Sequence, residues 1–228
     1  MHNRSDCPVA CQGEHSQVSS TQQGRTLPSV RGLVLAGGLS SRLGQDKASL
    51  KIHSEVGITD LLERSMGLLR AVVSQVAVVG RKTTEYSCIP DLIPQKGPVG
   101  GIASALAAFP GEAILVLSCD LPFMNIATLR TLLQYRAEAP LGTLMTAYRQ
   151  MDTGHKEALV AIYEPEAAPY FLECLYADKL KVSKVVPEDQ QYFLEYGADN
   201  SLPFFNINYP ADLEVVKRLI EIVHAVEE

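Results

Sequence analysis

The segment Ala113–Cys119 places the strongest constraint on the fold, because nearly all of its residues are apolar. A short apolar run without alternation is typical of a strand that is covered on both faces of a sheet and lies near its centre. On either side, the chain alternates similar runs with segments of helical spacing, such as Ile58–Val73. This alternation predicts an α/β fold with a mostly parallel sheet between helices.

The predicted elements follow one another along most of the chain. The predicted strands are Gly32–Ala36, Gln75–Val79, Ser87–Ile93, Ala113–Cys119, Leu141–Tyr148, Ala158–Tyr163 and Gln190–Tyr196. The predicted helices are Ile58–Val73, Val99–Phe109, Asn125–Ala137 with Asn125 as its cap, Glu164–Ala177, Lys179–Val186 and a final helix with Pro210 in its first turn. In open sheets of this class, ligands bind beyond the carboxyl ends of the strands. Motifs that follow strands are therefore the candidates for function.

The remaining composition sets limits on the protein class. Residues 1–29 lack apolar periodicity, so we predict a disordered tail followed by one domain over residues 30–228. The net charge of −6 argues against nonspecific nucleic-acid binding, which needs a basic face. No stretch reaches the roughly 20 apolar residues that span a membrane, and we expect a cytoplasmic protein. Cys7 and Cys11 with His15 fall short of the usual four zinc ligands.

The first motif is the run LAGGLSSRLGQDK at residues 35–47. Its small residues after a strand, notably Gly37 and Gly38, let backbone N–H groups approach a phosphate closely. Arg42 and Lys47 add two cations to the same loop, and a triphosphate needs such neutralisation before attack at phosphorus. We predict that this loop binds a nucleoside triphosphate.

Two further motifs follow later strands. Asp91 precedes Gly97-Pro98-Val99-Gly100-Gly101, where the glycines permit close approach of another part of the ligand or of an acceptor. Asp120 follows the most apolar strand, where a carboxylate is held rigidly. Mg²⁺ prefers oxygen ligands and commonly takes one or two carboxylates together with substrate phosphates, so Asp120 is the predicted magnesium ligand.

A fourth feature is Asn206-Ile207-Asn208, which precedes the last helix. In an extended segment, alternate residues share a face, so the two amides would point the same way. They are candidates for contact with the acceptor or with the water shell of the metal. Turn capping is the competing interpretation.

Together these motifs resemble the molybdenum cofactor guanylyltransferases. Residues 35–47 are similar to that family's signature Leu-Ala-Gly-Gly-x-Ser-x-Arg-Met-Gly-x-Asp-Lys. Gly97-Pro98, the run CDLP at residues 119–122 and the run NIN-x-P at residues 206–210 recur in the same order. The resemblance extends from about Gly32 to Leu219. It implies a Rossmann-like, three-layer nucleotidyltransferase fold.

The resemblance also implies an activity, the transfer of GMP from GTP to molybdenum-molybdopterin with release of pyrophosphate. By position, Leu35, Ala36 and Gly37 would contact GTP through the backbone, and Lys47 would contact phosphates. Asp91 would bind the nucleotide, and Asp120 would bind Mg²⁺ and the nucleotide together. The lability of the cofactor also predicts its handover to other cofactor-biosynthesis proteins or apoenzymes as partners.

Some positions depart from the family pattern. Leu43 replaces the usual Met, and Gly80-Arg81 stands where some members carry a nucleotide-contacting Asn. Residues 155–159 stand near a His-Pro or Pro-Leu position of many members, so acceptor contacts are not carried over there. Two alternatives stay open: a cytidylyltransferase or related transferase with another small acceptor, and a nucleotide-binding partner or sensor without catalysis. Gly37, in place of the second Ala of the Ala-Ala-Gly typical of CTP users, favours GTP.

Overall fold

The computed structural model describes residues 26–37, 47–54 and 57–227. The strands are β1 (Val30–Leu35), β2 (Lys51–Ser54), β3 (Gly57–Asp60), β4 (Val76–Val79), β5 (Cys88–Ile89), β6 (Ala113–Ser118), β7 (Met145–Gln150), β8 (Lys156–Tyr163) and β9 (Gln191–Tyr196). The α-helices are α1 (Leu61–Arg70), α2 (Gly97–Ala108), α3 (Ile126–Ala137), α4 (Ala168–Tyr176) and α5 (Pro210–Glu227). Short 3₁₀ turns include Lys47–Ser49, Val182–Lys184 and Leu202–Phe204.

Seven strands form one sheet in the order β5-β4-β1-β6-β8-β7-β9. β1 pairs in parallel with β4 and β6, β4 pairs in parallel with β5, and β7 pairs in parallel with β9. β8 is antiparallel to both β6 and β7, so among the described strands of this sheet it is the only one that is reversed. The predicted mostly parallel sheet is confirmed, and its central strand is the apolar segment that begins at Ala113.

Helices cover both faces of this sheet. On one face, α2 and α4 bury side chains such as Ile102 and Phe171 in a shared core. On the other face, α1 and α3 bury Leu69 and Leu129. The strands between them carry apolar residues on both sides, which is why β6 shows no alternation. The three-layer arrangement is confirmed.

Two local predictions were wrong. The predicted helix from Ile58 begins inside a β2–β3 hairpin, and α1 starts only after Asp60, whose side chain accepts from the backbone N–H of Glu63 at 2.7 Å. The predicted helix Lys179–Val186 contains a single 3₁₀ turn instead. The chain leaves α4 through Asp178 in the left-handed region, with φ of 57°, and this reversal prevents a second helix from starting at once.

A buried ion pair closes the amino edge of the sheet. Glu164 directly follows β8, and its two carboxylate oxygens accept from Arg136 at 2.6 and 2.7 Å. The same guanidinium donates to the carbonyl oxygen of Pro28, at 3.2 Å from each terminal nitrogen. One charged group therefore ties α3, the end of β8 and the segment before β1 together.

None of the helices in the described ranges combines the length and apolar character needed to cross a membrane.

Candidate functional site

The carboxyl ends of β1, β4 and β6 lie side by side. Leu35 is in register with Val79 on one side and with Ser118 on the other. The ladder continues one residue further, because Ala36 N–H donates to the Val79 carbonyl at 3.1 Å and Cys119 N–H donates to the Leu35 carbonyl at 3.3 Å. The residues that follow these three strands therefore meet at one edge of the sheet.

Gly37 and Gly80 are in close backbone contact at this edge. A Cβ on Gly37 would lie 2.8 Å from the Gly80 Cα, and a Cβ on Gly80 would lie 2.6 Å from the Gly37 Cα. Gly80 also has φ of +81°, a conformation that side chains disfavour. Packing against Gly80 is thus a sufficient reason for glycine at residue 37, so this residue carries less weight in the choice between GTP and CTP.

Asp120 lies at the same edge, two residues beyond the end of the central strand. It is half-buried, and its Oδ1 accepts from the Ser118 hydroxyl at 2.6 Å. Its backbone carbonyl accepts from the N–H of Ile207 at 2.9 Å. The side chain is fixed by its own strand, and the backbone is fixed by the segment before α5.

The Asn206–Asn208 segment is placed beside Asp120 by that backbone bond. Ile207 is fully buried, while the amide of Asn208 donates to Oδ1 of Asn206 at 2.9 Å. The two amides therefore share a face, as the alternation predicts. The capping of α5 is done instead by Asp212, which accepts from the backbone N–H groups of Asn208 and Tyr209 at 2.8 Å each.

Asp91 lies farther along the same edge, after β5, the neighbour of β4. The residue is exposed, yet its surroundings desolvate the carboxyl enough to raise its pKa. The following residue is held by Ser104, whose hydroxyl accepts from the Leu92 N–H at 2.9 Å and donates to the Gly100 carbonyl at 2.7 Å. These bonds attach the loop of Asp91 to α2.

The glycines of α2 have different surroundings. Gly97 has φ of +57° and is exposed with Pro98 at the start of the helix. Gly100 is buried, and a Cβ there would lie 2.9 Å from the Lys96 Cβ. A Cβ on Gly101 would lie 2.9 Å from a Val79 methyl group. Packing is therefore a sufficient reason for glycine at residues 100 and 101. Gly97 and Pro98, which are exposed, are better placed to contact a ligand.

Three predicted site residues lie wholly or partly outside the described part of the chain. Gly38 and Arg42 lie outside the described residues. Lys47 begins the 3₁₀ turn Lys47–Ser49, but its side chain is outside the described part. The tail residues Cys7 and Cys11 are also outside it. For Lys47 and Arg42, the predicted roles remain predictions from the sequence.

Comparisons with known proteins identify the family. Residues 32–190 match the family model of the MobA-like NTP transferase domain. A molybdenum cofactor guanylyltransferase from Xanthomonas euvesicatoria pv. vesicatoria (strain 85-10) is 37% identical over 148 residues, covering 63% of this chain and 76% of that protein. A probable molybdenum cofactor guanylyltransferase from Pelotomaculum thermopropionicum is 32% identical over 200 residues, covering 83% and 93%. The chain belongs to the MobA-like NTP transferase family.

Solved structures support the same fold for this transferase. Molybdopterin-guanine dinucleotide biosynthesis protein A from Archaeoglobus fulgidus is 22% identical, with a TM-score of 0.68, covering 84% of this chain and 98% of that one. A CMP:2-keto-3-deoxy-manno-octonic acid synthetase, solved with CTP, is 14% identical, with a TM-score of 0.66, covering 85% and 98%. The predicted Rossmann-like nucleotidyltransferase fold is confirmed. The family match and the named relatives identify the protein as a nucleotidyltransferase.

Two features of this edge were missed in the sequence. Gly80 departs from the family pattern, and as a glycine directly after a strand it is itself a signal of close backbone approach. Glu157 and Tyr196 also lie at this edge, near the start of the reversed strand β8 and at the end of β9, and the Tyr196 hydroxyl donates to Glu157 Oε1. Both are polar residues at strand ends, a pattern that can be found in the sequence.

Proposed function

We propose that this transferase joins GMP from GTP to the phosphate of molybdenum-molybdopterin and releases pyrophosphate. The names of its relatives support this activity. The observation that carries the proposal is the bond between Ile207 and Asp120, which brings the carboxylate of the central strand and the Asn206–Asn208 pair to one place. A transfer site needs its nucleotide-binding and acceptor-binding groups within reach of one reacting phosphorus.

The proposed reaction is attack by an oxygen of the acceptor phosphate on the α-phosphorus of GTP. The new P–O bond forms as the bond to the pyrophosphate breaks, and the electron pair leaves with pyrophosphate. Because the acceptor phosphate is already anionic, no side chain has to remove a proton. Catalysis then depends on positioning and on stabilisation of charge.

The nucleotide would lie over the ends of β1, β4 and β5. There the backbone of Leu35, Ala36 and Gly37 would contact GTP, and Asp91 would bind the nucleotide at the outer end. Gly97 and Pro98 lie at the start of α2, next to the loop of Asp91. Asn206 and Asn208 would contact the acceptor or the water shell of a metal.

Asp120 fits a magnesium ion as a single protein ligand. Its side chain is half-buried and oriented by Ser118, and one carboxylate with substrate phosphates is a common set of Mg²⁺ ligands. In the described part of the chain, no three His, Cys, Asp or Glu side chains form a metal cluster, so phosphates and water would complete the shell. When bound, the ion would neutralise phosphate charge.

Lys47 and Arg42 would supply the remaining positive charge to the triphosphate. This role follows from their places in the motif at residues 35–47. We expect Lys47→Ala to abolish measurable turnover while the protein keeps its melting temperature. Turnover at the wild-type rate in a folded Lys47→Ala protein would contradict the role.

The test of the function is pyrophosphate release by the purified protein with Mg²⁺ and molybdenum-molybdopterin. GTP, CTP and ATP are compared in parallel, each with and without the acceptor. We expect release only with GTP and acceptor together. Release with CTP would indicate a cytidylyltransferase, and GTP binding without release would indicate a non-catalytic nucleotide-binding protein.

A cytoplasmic location and handover to apoenzymes or other cofactor-biosynthesis proteins belong to the same proposal. The support is chemical, because a labile product benefits from direct transfer. Cell fractionation followed by affinity purification of the tagged protein, with the product loaded, would test both. Recovery of the protein with the membrane fraction would contradict the location.

A further inference from the structure

Glu157, near the start of β8, is a largely buried carboxylate with few polar partners among the described residues. Its side chain is 13% exposed. Among the described residues, its polar neighbours are the Tyr196 hydroxyl, which donates to Oε1, and His155, whose Nε2 lies 3.9 Å from Oε2. No Lys or Arg whose side chain the structure describes forms an ion pair with it. Within the described part of the chain, His155 is the one possible cation beside this carboxylate, and its side chain is 66% exposed, so it offsets little of the cost of burying the charge. Buried carboxylates with such perturbed surroundings cluster at functional sites.

The position of Glu157 separates it from the proposed nucleotide site. β8 lies next to β6 on the side away from β1, β4 and β5, and it is followed by β7 and then by β9 at the edge of the sheet. Because β8 is reversed, its first residues lie at the same edge as Asp120. With the nucleotide over the ends of β1, β4 and β5, the remaining half of this edge is where the acceptor must lie.

A cluster of three aromatic side chains, Tyr148, Tyr196 and Phe204, connects Glu157 to the segment that carries Asn206. The rings of Tyr148 and Tyr196 are nearly buried, and each contacts the ring of Phe204, with centroids 4.9 and 4.4 Å apart. Phe204 is half-buried and lies two residues before Asn206. Met151, whose N–H donates to the Tyr196 carbonyl at 3.0 Å, leaves 61% of its area exposed beside them. Tyr196, the hydrogen-bond partner of Glu157, is thus part of an aromatic cluster with an exposed methionine beside it, and such a surface suits a flat heterocycle.

We propose that Glu157 recognises the pterin ring of the acceptor by accepting hydrogen bonds from its ring amide N–H and its exocyclic amine. These two donors lie side by side on a pterin, and a carboxylate presents two acceptors at matching spacing. Tyr196 positions the carboxylate by donating to Oε1. This inference rests on the proposed function, because the acceptor there is a pterin.

Guanine carries the same pair of donors, so the experiment must separate the two rings. The probes are 6-carboxypterin, which is fluorescent and stable, and 6-carboxylumazine, which has an oxygen in place of the exocyclic amine. Dissociation constants are measured for the wild type, Glu157→Gln, Tyr196→Phe and the control Glu195→Gln. Glu195 is on the same strand as Tyr196 but forms an exposed ion pair with Arg149.

We expect Glu157→Gln to weaken 6-carboxypterin binding by about tenfold to a hundredfold, the usual range for a lost charge-assisted hydrogen bond. Lumazine binding should be weak in the wild type and nearly unchanged in the variant. Tyr196→Phe should weaken pterin binding less, and Glu195→Gln should leave it unchanged. In the transfer assay, Glu157→Gln should raise KM for the acceptor but leave KM for GTP as it was.

Equal pterin affinity in wild type and a folded Glu157→Gln protein would overturn the proposal. A rise in KM for GTP with unchanged pterin binding would also overturn it, and would assign the carboxylate to guanine. The binding measurement requires no turnover. Absence of GMP transfer by the wild type would therefore count against the proposed function, while the pterin titration still decides the role of Glu157.

Discussion

The two ends of β8 carry glutamates with opposite surroundings. At the amino edge of the sheet, Glu164 is 4% exposed, and both of its oxygens accept from Arg136. At the carboxyl edge, Glu157 is also largely buried, yet its hydrogen-bond donor is the phenol of Tyr196. The first carboxylate is fully paired inside the protein, whereas the second retains capacity to accept hydrogen bonds. One strand thus joins an edge built for stability to an edge where ligands are proposed to bind.

The largest effect on stability is expected at the amino edge of the sheet, where Glu164 is paired with Arg136. Glu164→Gln leaves the Arg136 guanidinium buried without its counter-charge, and breaking such a pair costs about 3–5 kcal/mol of unfolding free energy. Urea titration would measure the loss. Replacement of both residues by Met should recover most of it, because the isolated charge is then gone. A Glu164→Gln protein as stable as the wild type would show that water reaches the Arg136 guanidinium.

The next effect is expected at the carboxyl edge and concerns rate. Asp120→Asn keeps an oxygen that can accept from Ser118, so the melting temperature should hardly change. Turnover should fall by about 100-fold to 1000-fold, the range for losing one electrostatic group at a reacting centre. A folded variant with the wild-type rate would refute the metal assignment, and a large loss of stability would place Asp120 with Glu164 as a structural carboxylate.

A smaller effect is expected where the backbones of the β1 and β4 loops meet. Gly80→Ala combines a positive φ of +81° with a Cβ placed 2.6 Å from the Gly37 Cα, and we expect a loss of about 2–3 kcal/mol. Gly111→Ala is the matched control, since it has φ of +82° and nothing within 4 Å of the added Cβ. The control should lose only about 1 kcal/mol, the cost of the backbone conformation. Equal losses of unfolding free energy in Gly80→Ala and Gly111→Ala would mean that the loops after β1 and β4 move apart easily to admit the added methyl group.

Much of the sheet could be predicted because its strands are apolar runs and its helices have clear periodicity. Ala113–Cys119 was recognised as central from its composition, and Asn125 as a cap from its residue type, and the Asn125 side chain does accept from the Thr128 N–H at 2.8 Å. The hairpin of β2 and β3 was missed because its four-residue strands continue directly into α1. The reversal of β8 has no local signal, since strand direction is set by the connection and not by the residues.

The candidate site was only partly predictable for a related reason. Asp120 and the Asn206–Asn208 pair are separated widely in the sequence, and the bond from Ile207 that joins them uses backbone atoms alone. The need for glycine at residue 37 comes from Gly80, a contact between two loops. Glu157 and Tyr196 belong to different strands, so their pairing becomes visible only when the strand order is known.

The smallest effect is a pH dependence of stability that arises at Glu157. Burial raises the pKa of this carboxyl above its ordinary value of 4.5, although the bond from Tyr196 and the nearby His155 act in the opposite direction. The folded protein then binds the proton more tightly than the unfolded chain does. Stability that is present below pH 4.5 is therefore lost as the pH rises through the folded-state pKa.

Glu157→Gln removes this loss, because the amide oxygen can still accept from Tyr196 and carries no charge. The melting temperatures of wild type and variant should be equal near pH 4 and should separate as the pH rises, with the variant the more stable at pH 7. The difference in melting temperature between wild type and variant is taken at each pH. The contributions of all other carboxyls are the same in both proteins and cancel, so the small effect becomes measurable. A variant less stable than the wild type at pH 7 would show that the ionised carboxylate is satisfied within the protein, as Glu164 is, and would remove the reason to assign it a ligand.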